Sequence, residues 1–167
     1  MDQVSTLERV FTYKAKANSA MLAAMRQFDD ASPAKEIAIR VLNHTYAVDR
    51  IFAANMMRAA HGYTSPNPDH APSLEELSAA IATSDQWYID YVSRLDESQL
   101  AERIDFTFTD GEPGRMSREE MLMHVTIHGG SHRGQIGMIM MQNSIMPPAD
   151  RLTSYLHKAE ASTRRRV

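Results

Sequence analysis

Hydrophobic residues recur at helical spacing through most of the first hundred residues. Apolar positions three and four residues apart predict a helix over about 4–28 and a second over about 33–61. Gly62 lies just beyond the second segment, where glycine commonly terminates a helix. A third periodic segment, 73–95, opens on Ser73 with Glu76 three residues later, which is the sequence of a capping box. The pattern therefore predicts three long helices.

The segment 103–116 has a different periodicity. Ile104, Phe106 and Phe108 alternate with polar residues, and residues 110–114 read Asp-Gly-Glu-Pro-Gly, a turn sequence. Alternation on either side of such a turn predicts a small β-hairpin.

Helical spacing returns after the hairpin and predicts two more helices. A second capping box begins at Ser117 and opens a long helix over about 117–143, and two consecutive prolines precede a shorter helix over about 150–161. The predicted fold is all-α: a four-helix bundle in a single domain, 1–167, with a small β-hairpin insertion between helices 3 and 4 and a short C-terminal helix. The long connections after the second and third helices allow a topology other than up-down-up-down.

Composition narrows the class of protein. Hydrophobic residues make up 43% of the chain, and no apolar run reaches the ~20 residues of a membrane span. A net charge of -3 argues against a nucleic-acid partner. There is no cysteine, which excludes disulfides and thiolate metal ligands. The N-terminus lacks the pattern of a signal peptide, so we expect a cytoplasmic protein.

Two histidines occupy the centre of the apolar stripe of the predicted fourth helix. A spacing of four residues puts His128 and His132 one turn apart on one face. On a helical wheel they share a sector of roughly 80° with four other side chains: Met121, Val125, Gln135 and Ile139. Two neutral imidazoles on one face are a ready pair of ligands for zinc, nickel or iron. His124 lies on the flank, and since eight residues of helix rise about 12 Å, one ion cannot easily reach both His124 and His132.

A third ligand is expected from another helix. His44 lies at the centre of the second helix's apolar stripe, which also contains Ile37, Val41, Val48 and Ile51. A lone core histidine is usually structural, but burying three imidazoles without a common partner would be costly. We therefore expect a shared metal ion.

The fourth helix also carries three glycines on the face opposite the histidines. Each of Gly130, Gly134 and Gly137 costs a helix about 1 kcal/mol relative to alanine. Close approach of another helix, from this chain or from a second subunit, is one explanation, and a local kink is the other.

Several segments resemble the DinB/YfiT-like family, which is described as a family of metal-dependent hydrolases. The run 128–135, His-Gly-Gly-Ser-His-Arg-Gly-Gln, is similar to its H-x₃-H-R-G-Q signature, and 42–44 to its second-helix histidine element. Residues 13–22 and 147–156 are similar to its first helix and closing segment. The resemblance implies a four-helix bundle, a metal site and often a homodimer. Ser131 departs from the family's pattern, which often has a further histidine there.

Carried over by position, the resemblance makes His44, His128 and His132 the metal ligands. The ion would be zinc or nickel first, with iron or manganese as alternatives. The family includes transferases and isomerases that use low-molecular-weight thiols, so a thiol cofactor is also implied. Gln135, one turn beyond His132, is expected either to hydrogen-bond a ligand or substrate or simply to pack.

Two function classes remain open. A three-histidine ion with open positions serves both hydrolysis of a small-molecule substrate and thiol transfer. No HExxH motif supplies a general base, and Tyr46, Asp49 and Tyr91 are candidates that the sequence does not place. The alternative is a non-catalytic, metal-stabilised binding module of a stress response, which should have a closed metal site.

Overall fold

The computed structural model of the protein describes residues 3–164. The elements in chain order are α1 (Gln3–Met25), α2 (Pro33–Met56), α3 (Leu74–Val92), α4 (Glu97–Ala101), β1 (Arg103–Thr107), β2 (Pro113–Ser117), α5 (Arg118–Gln142), α6 (Leu152–Ala159) and α7 (Ala161–Arg164). The predicted class is confirmed: α1, α2, α3 and α5 pack as the bundle, and the hairpin lies between the third and fourth of these long helices.

The predicted helix starts are fixed by side-chain caps. Ser32, Ser73 and Ser117 each accept a backbone N–H in the first turn of α2, α3 and α5, and the latter two complete capping boxes. The short helix α4 was not predicted, although Asp96 and Gln99 form a third capping box at its start. A five-residue helix is too short to show an apolar period, so only its cap could have indicated it.

The predicted end of the second helix at His61 is wrong, because α2 ends at Met56. Arg58 adopts a left-handed conformation with φ 53°, and the N–H of Ala59 bonds back to the carbonyl of Ala54 at 2.9 Å. That bond pattern usually has a glycine at the left-handed position. Because arginine occupies this position, the sequence pattern instead indicated Gly62 as the residue that ends the helix.

The core shows the direction of each helix. One apolar cluster joins the starts of α1 and α5 to the ends of α2 and α3, through residues such as Phe11, Met121, Phe52 and Tyr88. A second cluster joins the opposite ends. The helices α1 and α5 therefore run one way, and α2 and α3 run the other.

The connection between α2 and α3 is a crossover that returns along α2. Two parallel helices in sequence require the chain to travel back the length of the bundle, and residues 57–73 do so. Asn43 on α2 donates to the carbonyl of His70 at 3.4 Å, and the carbonyl of Pro66 lies beside His44. This confirms that the long connection after the second helix permits a topology other than up-down-up-down.

A buried polar layer separates the two apolar clusters. Lys14 lies 2.7 Å from Asp49 and 2.6 Å from Asp85. Asn18 donates to Asp85 at 2.9 Å and accepts from Arg133 at 3.0 Å. Burial alone would lower the pKa of Lys14, but the two carboxylates outweigh it and raise that pKa, so the amine stays charged. The layer ties α1 to α2, α3 and α5.

The hairpin packs against α2 and α5, and the C-terminal helix α6 packs against α1. In the antiparallel hairpin, Phe106 pairs with Gly114. After α5, Asp150 accepts from Arg133 at 2.7 Å and contacts the hydroxyl of Tyr13. No helix within residues 3–164 is both long and apolar enough to cross a membrane.

Candidate metal centre

The helical wheel predicted His128 and His132 at the centre of the buried face of α5. In the structure they lie at the edge of that face. The buried residues of this helix are Arg118, Met121, Leu122, Val125, Gly129, Arg133, Ile136, Gly137 and Met140. The wheel assumed that the centre of the face is apolar, whereas Gly129 and Arg133 lie there against the polar layer. His128 and His132 are consequently half-buried, and the ring of His128 meets that of His44 on α2.

The structure brings the three predicted ligands together. The Nε2 atom of His128 lies 3.1 Å from Nε2 of His44 and 3.0 Å from Nε2 of His132. One nitrogen from each ring lies within 4.8 Å of the others. A metal ion bound to three imidazoles needs this convergence of one nitrogen per ring.

Hydrogen bonds at the outer nitrogens fix two of the three rings. His44 Nδ1 lies 2.9 Å from the carbonyl oxygen of Pro66, and His132 Nδ1 lies 2.8 Å from Oε1 of Gln135. Both partners can only accept, so each Nδ1 carries the proton. In the neutral rings, the Nε2 atoms of His44 and His132 therefore present lone pairs to the centre of the cluster.

His128 is held differently. Its Nδ1 is buried with no hydrogen-bond partner. Burial, together with the neighbouring His132, His44 and His124, lowers the pKa of His128 from 6.5 to about 3. The ring is thus neutral at physiological pH and offers a nitrogen that can ligate a cation.

The cluster fits a divalent metal ion on chemical grounds. A single ring proton can satisfy only one of the close contacts between nitrogens, whereas a cation satisfies all three lone pairs at once. Zinc–nitrogen bonds of about 2.0–2.1 Å place the nitrogens of a tetrahedral site roughly 3.3 Å apart, close to the separations of His128 Nε2 from the Nε2 atoms of His44 and His132. Within residues 3–164, no further histidine or carboxylate joins the group.

Aromatic rings flank the cluster on the side of the hairpin. His124 is exposed and stacks on His128, with ring centroids 5.3 Å apart and planes 23° apart. Its other neighbour is Phe52 of α2, at 4.7 Å. As the rise of the helix predicted, His124 stands beside the three-histidine group without joining it.

The candidate general bases have other partners. Asp49 is buried in the ion pair with Lys14, and the hydroxyl of Tyr91 accepts from Arg118 at 2.6 Å. Tyr46 packs against the second apolar cluster. Among the described residues, neither Asp49 nor Tyr91 forms a hydrogen bond with any of the three histidines.

The glycine face of α5 does not receive a helix of this chain. A Cβ at Gly134 would meet nothing within 4 Å, and one at Gly137 would meet Pro147 at 3.5 Å. Gly129 is the glycine of α5 that faces α1, and a Cβ there would make ordinary contacts with Arg133 Nη1 at 3.4 Å and Cε of Lys14 at 3.6 Å. The explanation by close approach within the chain is therefore wrong for Gly134.

Sequence reasoning missed one support of the site and one buried charge next to it. The Pro66 carbonyl is a backbone group and leaves no side-chain signal, although the proline-rich connection marked where it could lie. Arg133 lies at the centre of the buried face, next to His132, and donates to Asn18. Its position directly after a predicted ligand could have indicated that it is buried near the site.

The fold and the site together define a class: a four-helix bundle with an up-down-down-up topology and three histidines that converge between α2 and α5. The DinB family model matches residues 1–166, and the chain belongs to the DinB family. A DinB-like protein from Bacillus cereus is similar in structure, with a TM-score of 0.60 at 21% identity, over 83% of this chain and 91% of that one. At that identity the likeness shows the fold alone. Curated proteins provide no match to this chain.

Proposed function

We propose that this protein is a metal-dependent enzyme in which His44, His128 and His132 hold one divalent ion. The observation that carries the proposal is the convergence of three imidazoles without a fourth protein ligand among the described residues. Structural zinc sites usually have four protein ligands, whereas catalytic sites keep a position open. Zinc or nickel suits this nitrogen-only set best, and iron or manganese is the alternative.

The reaction class follows from the ion and its surroundings. When bound, a divalent ion at this position lowers the pKa of a water or thiol ligand towards neutrality. Pro66 and Gln135 orient two of the rings. The site thus supports attack of an activated nucleophile on an electrophilic small molecule, by hydrolysis or by transfer to a low-molecular-weight thiol. Such thiols stay reduced in the cytoplasm, where we place the protein.

Metal content tests the ligand set first. Protein purified without an affinity tag should contain about one divalent ion per chain, and His128→Ala should lose it. His157→Ala is the matched control, because His157 lies on α6, does not belong to the three-histidine group and has its Nδ1 beside the Thr153 carbonyl of its own helix. Full metal content in His128→Ala would contradict the ligand assignment.

Activity then separates the two reactions. Metal-loaded protein is assayed with ester and electrophile substrates, with and without a panel of low-molecular-weight thiols, beside His132→Ala and His157→Ala. Turnover that requires a thiol and is lost only in His132→Ala selects the transferase, and turnover without thiol selects the hydrolase. Bound metal with no turnover and no exchangeable ligand would instead support a metal-stabilised binding module.

A further inference from the structure

A continuous row of aromatic rings leads from the three histidines to the hairpin. His128 stacks on His124, His124 lies 4.7 Å from Phe52, and Phe52 lies 6.3 Å from Phe106. Phe106 in turn meets Phe108 edge to face at 4.8 Å. Structural packing needs only the buried members of such a row, yet His124 and Phe108 are exposed.

The row ends in a groove between the hairpin and the crossover segment 57–73. The groove has a volume of about 710 Å³. Its walls include Asn55, Arg58, His61, Tyr63, Phe106 and Phe108. This size suits part of a small molecule of moderate length.

Gly114 lets the two phenylalanine rings form a wall of this groove. A Cβ at Gly114 would lie 2.5 Å from the Phe106 ring and 2.8 Å from that of Phe108, so any side chain there would displace both rings. With glycine, the rings lie over β2, and Phe108 keeps 44% of its surface exposed. A large exposed aromatic ring held in a fixed position is a typical apolar contact surface for a ligand.

The charges at the rim of the groove are already neutralised within the protein. Arg58 lies 2.5 Å from Glu102, and Arg115 lies 3.5 Å from Asp105. With these ion pairs formed, Arg58 and Asp105 have partners within the protein. Phe106 and Phe108 contribute apolar surface beside them, so the groove can receive an uncharged, apolar group.

The crossover segment links the groove to the histidines directly. Tyr63 and Thr64 line the groove, and two residues later the carbonyl of Pro66 accepts from His44. Phe52 lies eight residues after His44 on α2, which corresponds to about 12 Å along the helix. A ligand that reaches from the metal position to the groove must be extended.

We propose that His124, which rests on the buried Phe52, and the groove beside Phe108 bind the apolar tail of the substrate, a long alkyl or aryl group whose reactive end lies at the three histidines. The inference rests on the proposed function and adds a substrate class to it: extended molecules with an electrophilic head and an uncharged tail. Phe108 and His124 are specificity-determining residues in this arrangement.

The test uses ligands that bind a metal without reacting. Acetohydroxamic, hexanohydroxamic and decanohydroxamic acids share one metal-binding head and differ in tail length, and calorimetry on the zinc-loaded protein gives their dissociation constants. Burial of a tail improves affinity by up to about fourfold per methylene, so the decanoyl ligand should bind at least about tenfold tighter than the acetyl ligand. Phe108→Ala and His124→Ala should each lower the ratio of decanoyl to acetyl affinity about fivefold.

Met146→Ala is the control, because Met146 is exposed and lies outside the groove. Affinity that is independent of tail length, or tail dependence unchanged in both variants, overturns the tail site while the metal proposal stands. Failure of every hydroxamate to bind overturns the open metal position on which both proposals depend. A change of sedimentation in Phe108→Ala would assign the groove to a second copy of the chain and overturn the substrate assignment.

Discussion

At the scale of the residue, the three histidines are prepared for a cation to different extents. His44 and His132 have their tautomers fixed by oxygen acceptors, and His128 has a buried Nδ1 without a partner. A fixed tautomer removes the reorganisation that metal binding would otherwise require. His44 uses a backbone acceptor and His132 uses a side chain, so only the second support can be removed by substitution.

Removal of the Gln135 amide should weaken metal binding. Without the acceptor at Nδ1, the His132 ring is free to rotate or to change tautomer. We expect Gln135→Ala to lower the affinity for zinc by about 10- to 100-fold, measured by competition with a chromophoric chelator. Gln142→Ala, at the exposed end of the same helix, should have no effect. Equal affinities in the two variants would show that the contact between His132 and Gln135 plays no part in metal retention.

The stability of the metal-free protein should fall with acidification because of His128. Its folded-state pKa, about 3, lies below the ordinary value of 6.5, so between these values the unfolded chain takes up the proton and the folded chain does not. The free energy of unfolding contributed by this group is therefore present above about pH 6.5 and is lost as the pH falls towards 3. Urea titrations of chelator-treated protein at pH 7 and pH 5 should show a smaller loss in His128→Gln than in the parent. The control His157→Gln should resemble the parent, and a loss as large in His128→Gln would contradict the burial argument.

The sequence indicated which histidines would meet but not how they are supported. Spacing alone put His128 and His132 on one face, and the apolar context of His44 selected it as the third member. The wheel then placed the pair too centrally, since it weighed hydrophobicity and could not register the buried charge of Arg133. Backbone acceptors such as the Pro66 carbonyl depend on chain topology, which a periodic pattern does not specify.

At the scale of the element, the middle of α1 is the segment through which α2, α3 and α5 are all linked by polar contacts. Lys14 and Asn18 interrupt its apolar face and contact carboxylates from α2 and α3, while Asn18 also accepts from α5. Such a layer fixes how far each helix slides along its neighbours, because a shift by one turn would leave buried charges unpaired. The position of His44 relative to His128 depends on that register.

Loss of the Lys14 charge should destabilise the bundle strongly. Lys14→Ala leaves Asp49 and Asp85 buried without a cation, and removal of one partner from a buried ion pair costs about 3–5 kcal/mol. Chemical denaturation monitored by circular dichroism should show this decrease in the free energy of unfolding. The matched change Lys16→Ala removes an exposed lysine two residues away and should cost less than about 1 kcal/mol. Comparable effects of the two changes would refute a structural role for the polar layer.

At the scale of the whole molecule, an exposed apolar stripe runs along α5 on the side away from the core. Its large members are Met123, Ile127, Met138 and Met141, all exposed. Gly134, between them, has open space around its Cβ position. These residues repeat at the three- and four-residue spacing that helices use to pack on one another, so we propose that a second copy of the chain covers this stripe in a homodimer.

A charge in the centre of this stripe should favour the monomer. Ile127 is 66% exposed, so Ile127→Glu should leave the fold intact and place a carboxylate where the second copy packs. Sedimentation velocity should show a dimer for the parent and a monomer for the variant at the same micromolar concentration. Ile37→Glu, an equivalent change at an exposed position of α2, should remain dimeric. A parent that sediments as a monomer at all concentrations would end the dimer proposal.

The crossover segment offers a route by which proteins of this architecture can diverge. It holds His44 through the main-chain carbonyl of Pro66, whereas its side chains at Tyr63 and Thr64 face the groove. Substitutions at those two positions would leave the Pro66 carbonyl oxygen in place. They would therefore change the wall of the groove without removing the hydrogen bond that orients His44. Selection could therefore retune what the groove accepts while the metal ligands stay constant, and variants randomised at 63 and 64 would be the natural starting library for changing substrate preference.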